Sequence, residues 1–173
     1  MTYFGAVDEN SQVPDGNGVL FQEDGTIIQG MFQDGNLEGF ARKYEEKGLI
    51  LISEGYFRQN KINGYGKFYY PNGQKKLEGY FKEDFLNGEG TLWSEIGKKI
   101  YKGNFVNNMF EGAGKKFYQN KDFYQGNFTN GLRNGCGVMQ SEDGSKIEGI
   151  WKDGKLKEKI KETGILRDEN NRI

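Results

Sequence analysis

Short runs of alternating hydrophobic and polar residues recur in phase along most of the chain. Read from Gln29, the segments QGMFQDGNLEGFA, EGYFRQNKINGYG, EGYFKEDFLNGEG, KGNFVNNMFEGAG and QGNFTNGLRNGCG align without gaps, and a further start, EGIWKDGKLK, follows. The leading glycines are Gly30, Gly55, Gly79, Gly103, Gly126 and Gly149, at intervals of 25, 24, 24, 23 and 23 residues. Two positions after each stands an aromatic: Phe32, Phe57, Phe81, Phe105, Phe128 and Trp151. A second glycine follows nine after the first (Gly39, Gly64, Gly88, Gly112, Gly135), and a third position two further on holds Ala41, Gly66, Gly90, Gly114 or Gly137. A degenerate earlier copy ends in Asp15-Gly16-Asn17-Gly18. Self-similarity at a fixed period of this length marks a repeat architecture.

Alternation over four to eight residues predicts strands, and the breaks carry turn chemistry. Asp34-Gly35, Asn130-Gly131, Pro71-Asn72-Gly73 and Asp143-Gly144 supply residues that accept positive φ. Each copy therefore reads as two strands and a turn, such as residues 77–82 followed by 88–93. The period is too short for helix-pair repeats and lacks the Leu/Asn frame of leucine-rich ones. The predicted fold is all-β: an elongated, single-layer antiparallel sheet of stacked β-hairpins with a short C-terminal cap. About thirteen strands at ~4.8 Å would extend roughly 60 Å. The array spans 1–156, with the degenerate copy at 1–28, and 157–173 form a cap or tail. In that tail Leu156 and Ile160 fit a short helix, while Leu156, Glu158 and Ile160 fit a final strand.

Glycine weakens a strand, so its regular placement needs a cause. Alternation puts Leu77, Gly79 and Phe81 on one face, and Gly88, Gly90 and Leu92 on one face of the next strand. Where these faces coincide, a ring can cover bare backbone. The expected core is thus Phe32, Phe57, Phe81, Phe105, Phe128 and Trp151 over Gly39, Gly64, Gly88, Gly112 and Gly135.

The pattern resembles the MORN (membrane occupation and recognition nexus) repeat, with about six to seven copies. Tyr124-Gln125-Gly126-Asn127-Phe128, Asn134-Gly135-Cys136-Gly137 and the turn Asp143-Gly144 carry the likeness, and Tyr101-Lys102-Gly103-Asn104-Phe105 is a second clear start. The family's Trp is mostly Phe here, its inner His is Asn or Glu, and the leading Tyr is replaced by Leu77 and Ile147. The resemblance implies a MORN solenoid that docks partners rather than an enzyme. Such arrays occur in cytoskeletal and ciliary scaffolds, junctional membrane proteins and some enzymes whose catalysis lies elsewhere. The implied function is a non-enzymatic scaffold or adaptor for an extended or helical protein segment, as a structural subunit of a larger assembly such as a cytoskeletal or ciliary complex. The implied location is cytoplasmic, at the cytoskeleton or cilium.

Composition narrows the chemistry. Histidine is absent and Cys136 is the single cysteine, which removes His-based catalysis, an internal disulfide and the common zinc sites. No nucleotide-cradling GxGxxG or GxxxxGK[ST] occurs. The carboxylate pairs Glu45-Glu46 and Glu83-Asp84 read as solvated turn charges. No catalytic residue, metal, cofactor or small-molecule substrate is expected. The opening MTYFGAVDEN has no basic or apolar leader pattern.

Specificity should lie on the face opposite the ring ladder. Met31, Tyr56, Tyr80, Asn104, Asn127 and Ile150 fall there on first strands; the second strands place Phe40, Tyr65, Tyr69, Trp93 and Phe117 there. The candidate protein-binding residues are Phe40, Tyr56, Tyr65, Tyr69, Tyr80, Trp93 and Phe117, since Tyr and Trp are favoured interface anchors; cross-strand pairing for sheet stability is the competing explanation. Charge is graded along the chain: residues 1–30 hold five acids and no Lys or Arg, whereas residues 91–161 hold 13 basic against 8 acidic. The alternative function is a peripheral membrane adaptor that binds anionic phospholipids through Lys152, Lys155, Lys157, Lys159 and Lys161. A net charge of −1 argues against nucleic acid as the partner.

Overall fold

The computed structural model describes residues 1–45 and 49–164. Among these every regular element is a β-strand, in two compact units, Met1–Lys98 and Lys99–Ile173. Unit one contains β1 (Thr2–Val7), β2 (Pro14–Phe21), β3 (Ile27–Gln33), β4 (Asn36–Glu45), β5 (Ile50–Arg58), β6 (Lys61–Tyr69), β7 (Lys75–Lys82) and β8 (Phe85–Trp93). Unit two contains β9 (Lys99–Val106), β10 (Met109–Phe117), β11 (Phe123–Thr129), β12 (Leu132–Gln140), β13 (Lys146–Lys152) and β14 (Lys155–Thr163). Within each unit every strand pairs antiparallel with its neighbour in sequence, from β1 to β8 and from β9 to β14.

The described strands number 14, one more than the pattern predicts. Residues 157–163 of the expected cap lie in β14, so the strand alternative for the tail holds there; 165–173 lie outside the described residues, as does Glu46 of the Glu45-Glu46 pair. The first copy is also less degenerate than the sequence suggests. Tyr3 and Gly5 on β1 occupy the leading positions, and Gly5 pairs with Gly18 as Gly103 pairs with Gly114.

Two kinds of turn connect the strands. Within a copy, two residues with positive φ close the hairpin, as at Gln59 (49°) and Asn60 (68°), or Asn130 (50°) and Gly131 (80°). Paired positive φ matches the right-handed strand twist, which is why Asn, Asp or Gly holds the second place. These turns also fasten each copy to the previous one. Asn60 N donates to Leu37 O at 3.2 Å while its Oδ1 accepts from Leu37 N at 2.8 Å. Asp84 repeats this with Ile62 at 3.0 and 2.8 Å, and Gly131 N reaches Phe110 O at 2.9 Å. Asp84 is therefore a backbone clasp, consistent with its reading as turn charge.

Between copies a five-residue turn recurs, as in Tyr70 to Gln74, where Tyr70 N meets Gln74 O at 2.8 Å. Its left-handed position is Gly25, Gly73, Gly97 or Gly144, but Lys121 (φ 66°) stands there in one copy. That conformation costs an L-residue about 1–2 kcal/mol. Lys121→Gly removes the strain, partly offset by the looser unfolded chain and by loss of the exposed Lys121–Glu142 ion pair. We expect a net gain of about 0.5 kcal/mol, read as a melting temperature above those of both wild type and Lys121→Ala. A Lys121→Gly chain melting with or below Lys121→Ala would contradict it.

The rings two positions after the leading glycines, Phe32, Phe57, Phe81, Phe105, Phe128 and Trp151, are buried. They are not what covers the glycines, and the covered glycines are not the ones expected. Gly39, Gly64, Gly88, Gly112 and Gly135 have φ of 74°, 122°, 115°, 64° and 96°, and a methyl group on any of them would face the opposite side of the sheet, near Met31, Tyr56, Tyr80, Asn104 or Asn127. The register shifts between strands of a copy, as between Gly79 and Phe81 opposite Gly90 and Leu86. Each such glycine lies within this irregular stretch. Strict alternation fails there, and conformation sets the need for glycine.

The covered glycines are the cross-strand pairs Gly5/Gly18, Gly55/Gly66, Gly79/Gly90, Gly103/Gly114 and Gly126/Gly137, with Gly30/Ala41. Two devices cover them. In three copies a tyrosine two before the leading glycine (Tyr3, Tyr101, Tyr124) lies across the pair. A methyl on Gly103 would approach Tyr101 Oη to 2.7 Å, and one on Gly126 would approach Tyr124 Oη to 2.5 Å. The hydroxyls emerge to donate to Ala6 O, Asn104 O and Asn127 O at 3.0, 3.1 and 3.3 Å, so the phenols, fully buried at Tyr101 and Tyr124, remain satisfied. Where that position holds Ile28, Ser53, Leu77 or Ile147, an aliphatic seven after the glycine covers it instead: Leu37, Ile62, Leu86 or Leu156. In the Tyr101 and Tyr124 copies the same position carries a flat group against the tyrosine. Phe110 stacks on Tyr101 at 3.8 Å, and the Arg133 guanidinium lies 5.6 Å from the Tyr124 ring and 4.2 Å from Trp151.

Candidate docking surface

Opposite the plugged glycines, unit one presents a ribbon of side chains across successive strands. Asn17 faces Met31 across β2 and β3, Phe40 faces Tyr56 across β4 and β5, and Tyr65 faces Tyr80 across β6 and β7. Edge-on pairs form between Phe40 and Tyr56, centroids 5.7 Å apart, and between Tyr65 and Tyr80, 5.4 Å apart. These rings remain 44%, 52%, 38% and 55% exposed, and Met31 51%. The positive-φ glycines provide low points between the ribs: Gly64 lies beside Tyr56 and Gly88 beside Tyr80.

A charged row flanks the ribbon on the same face. Arg42, Glu54, Lys67 and Glu78 stand opposite one another across β4 to β7. Glu54 takes Arg42 Nε and Lys67 Nζ, each at 3.2 Å, and the Tyr69 hydroxyl at 2.9 Å. Burial alone would raise the Glu54 carboxyl; hydrogen bonds from Tyr69, Arg42 and Lys67 outweigh it and hold the group below its usual range. Burial and then Glu54 push the Tyr69 phenol up to about 12. Tyr69 is thus a standing hydrogen-bond donor to the sheet.

Phe40, Tyr56, Tyr65 and Tyr80 share the exposed ribbon. Tyr69 is half-buried and committed to Glu54. Trp93, expected to be exposed, is 9% exposed: Lys75 Nζ lies 4.5 Å above its ring, a cation–π cover that alternation does not reveal. Phe117 belongs to unit two, half-buried, with Lys115 Nζ 5.4 Å from its ring and 3.4 Å from that of Phe123. The equivalent positions of unit two are Asn104, Ala113, Asn127, Cys136 and Ile150, so they supply no aromatic ribbon. An exposed pair missed in the sequence, Phe4 and Phe21 (centroids 5.7 Å apart), sits at β1 and β2. The unread Tyr3–Gly5 start was its signal. Lys155, Lys157, Lys159 and Lys161 are exposed along β14, interspersed with Glu158 and Glu162; Lys152 is exposed at the end of β13.

Among the described residues no acid, His or Cys cluster suited to a metal ion is present, and no helix is long and apolar enough to cross a membrane. A polar depression of about 330 Å³ lies between Arg58, Gln59, Lys61, Asn63 and Glu83. Its Lys61 and Glu83 pair at 3.7 Å, and it lacks the apolar walls typical of a ligand pocket.

The hairpin phase, plugged glycines and regular ribs define a repeat scaffold. The MORN repeat matches residues 54–75, 78–99, 101–123 and 124–146, and the chain belongs to the MORN repeat family. No curated protein matches the chain. MORN repeats commonly act as protein- or membrane-binding scaffolds, and the family is not typically enzymatic.

Proposed function

We propose that this protein is a non-enzymatic adaptor that docks an extended or helical protein segment along the exposed aromatic ribbon of unit one, within a larger cytoplasmic assembly of the cytoskeletal or ciliary kind. The observation that carries this reading is the run Met31, Phe40, Tyr56, Tyr65 and Tyr80, exposed on one face. Exposed rings in a contiguous row are the usual material of interface anchors. Their burial on binding would supply affinity, and the neutralised row beside them would limit the desolvation cost. Pull-down from native extract tests the reading. Tyr56→Ala with Tyr80→Ala should reduce recovery of the wild-type partner at least tenfold while the melting temperature moves by under about 3 °C, since anchors of this type carry about 2 kcal/mol each. Full recovery by the folded double variant would refute the face.

A second reading, as a peripheral membrane adaptor, draws on the exposed lysines of β14. Each basic residue near an anionic surface contributes about 1 kcal/mol. Salt-sensitive sedimentation with phosphatidylserine vesicles, lost on changing Lys155, Lys157, Lys159 and Lys161 to Gln, would favour it.

A further inference from the structure

We propose that the ribbon's ligand is a proline-rich segment in the polyproline II conformation, with a basic residue at the end nearest β8. The proposal rests on the docking reading above and specifies its partner.

Period is the first argument. Successive rib pairs, Phe40/Tyr56 and Tyr65/Tyr80, are two strands apart, or about 9.6 Å. A polyproline II helix repeats every three residues, about 9.3 Å. One residue in three therefore meets a rib pair with a drift of only about 0.3 Å per repeat. A helix using residues seven apart advances about 10.5 Å and drifts about three times as fast. From Met31 on β3 to Tyr80 on β7 the ribbon spans four strand spacings, about 19 Å, the length of six polyproline II residues.

Hydrogen bonding is the second. The hydroxyls of Tyr56, Tyr65 and Tyr80 have no hydrogen-bond partner among the described residues. A polyproline II segment has no internal hydrogen bonds and leaves its carbonyls free to accept. An α-helix has already committed most of its carbonyls. Proline also offers flat, uncharged faces to aromatic ribs and loses little entropy on binding.

Charge is the third. The ribs Asn17, Met31, Phe40, Tyr56, Tyr65 and Tyr80 carry no charge, the Glu38 carboxylate opposite Met31 is engaged by Gln59 N at 2.8 Å, and the adjacent row of Arg42, Glu54, Lys67 and Glu78 sums to zero. The next ribbon position, on β8, is Glu89, exposed and without an ion partner among the described residues. The complementary ligand is thus neutral along the ribs and cationic beyond Tyr80, which also sets its direction.

The test is an amide NMR titration of the full chain with three peptides: acetyl-PPPPPPR-amide, acetyl-PPPPPP-amide, and an alanine-based helical peptide with leucines seven apart. The expected result is saturable shifts confined to β3–β8 with both proline peptides. The Arg peptide should bind at least threefold tighter, and Glu89→Gln should abolish that difference. Tyr56→Ala with Tyr80→Ala should weaken both at least tenfold. Tyr56→Phe with Tyr80→Phe, which keeps the ribs and removes the donors, should give an intermediate loss and guards against a folding artefact. No ribbon shifts at millimolar proline peptide, or tighter binding of the helical peptide, would overturn the proposal. The docking reading would still stand if the native partner's recovery depended on Tyr56 and Tyr80, and would fall separately if it did not.

Discussion

Tyr101→Ser is expected to destabilise unit two by about 3–5 kcal/mol, the range for truncating a large buried aromatic. Tyr101 is fully buried. Its ring stacks on Phe110 at 3.8 Å, meets Phe105 and Phe128 edge-on at 5.1 Å each, and lies over Gly103 and Gly114. Truncation therefore uncovers bare backbone and removes three ring contacts at once. A second substitution separates this account from generic core damage. Ser53 and Ile62 hold in another copy the positions of Tyr101 and Phe110, and Ile62 covers Gly55 and Gly66 there. Adding Phe110→Ile to Tyr101→Ser should recreate that arrangement and recover about 1 kcal/mol or more of the loss. Denaturant unfolding with hydrogen exchange at β9–β12 reads both quantities. A double variant less stable than the single one would show that the two coverings are not interchangeable.

The second large effect concerns two glycines two residues apart that are needed for different reasons. A methyl on Gly137 would collide with the Tyr124 ring, so Gly137→Ala should cost about 1–3 kcal/mol through overpacking. Gly135 has φ 96° and ordinary contact at 3.4 Å with Asn127 on the other face. Gly135→Ala should cost a similar amount, about 1–3 kcal/mol, through backbone strain. Shrinking the tyrosine distinguishes them. Tyr124→Leu should offset part of the Gly137→Ala penalty, giving a coupling of about 1 kcal/mol, and should add independently to Gly135→Ala. Equal coupling at both positions would remove the distinction between covered and strained glycines.

The repeat phase made much of the fold legible. Alternation marked strands, Asn-Gly and Asp-Gly marked turns, and neighbouring strands joined by short turns pair antiparallel. The rings two after each leading glycine were likewise placed by period. The first copy was harder to read because its loop runs from Asp8 to Val13 and shifts the spacing that identifies the others. The ribbon was only partly legible: side-chain alternation assigned Phe40, Tyr56, Tyr65 and Tyr80 to a face, but a face assignment does not state what lies above a ring. Trp93 and Tyr69 share that face and are withdrawn by Lys75 and Glu54, neighbours that only the fold brings there.

The amino-acid sequence by itself determined the repeat, its strand-and-turn grammar and the family, because period and turn chemistry are local properties of the chain. Tertiary structure decided which glycines are covered and by what. The reason is the irregular register within copies: opposite Gly79 and Phe81, the pairing passes from Gly90 to Leu86 and skips Gly88. Strict alternation counts Gly88 and Gly90 on one face, whereas the folded backbone turns them to opposite sides. That local departure from period two sends one glycine beneath the core plug and leaves the other between the ribs of the ribbon.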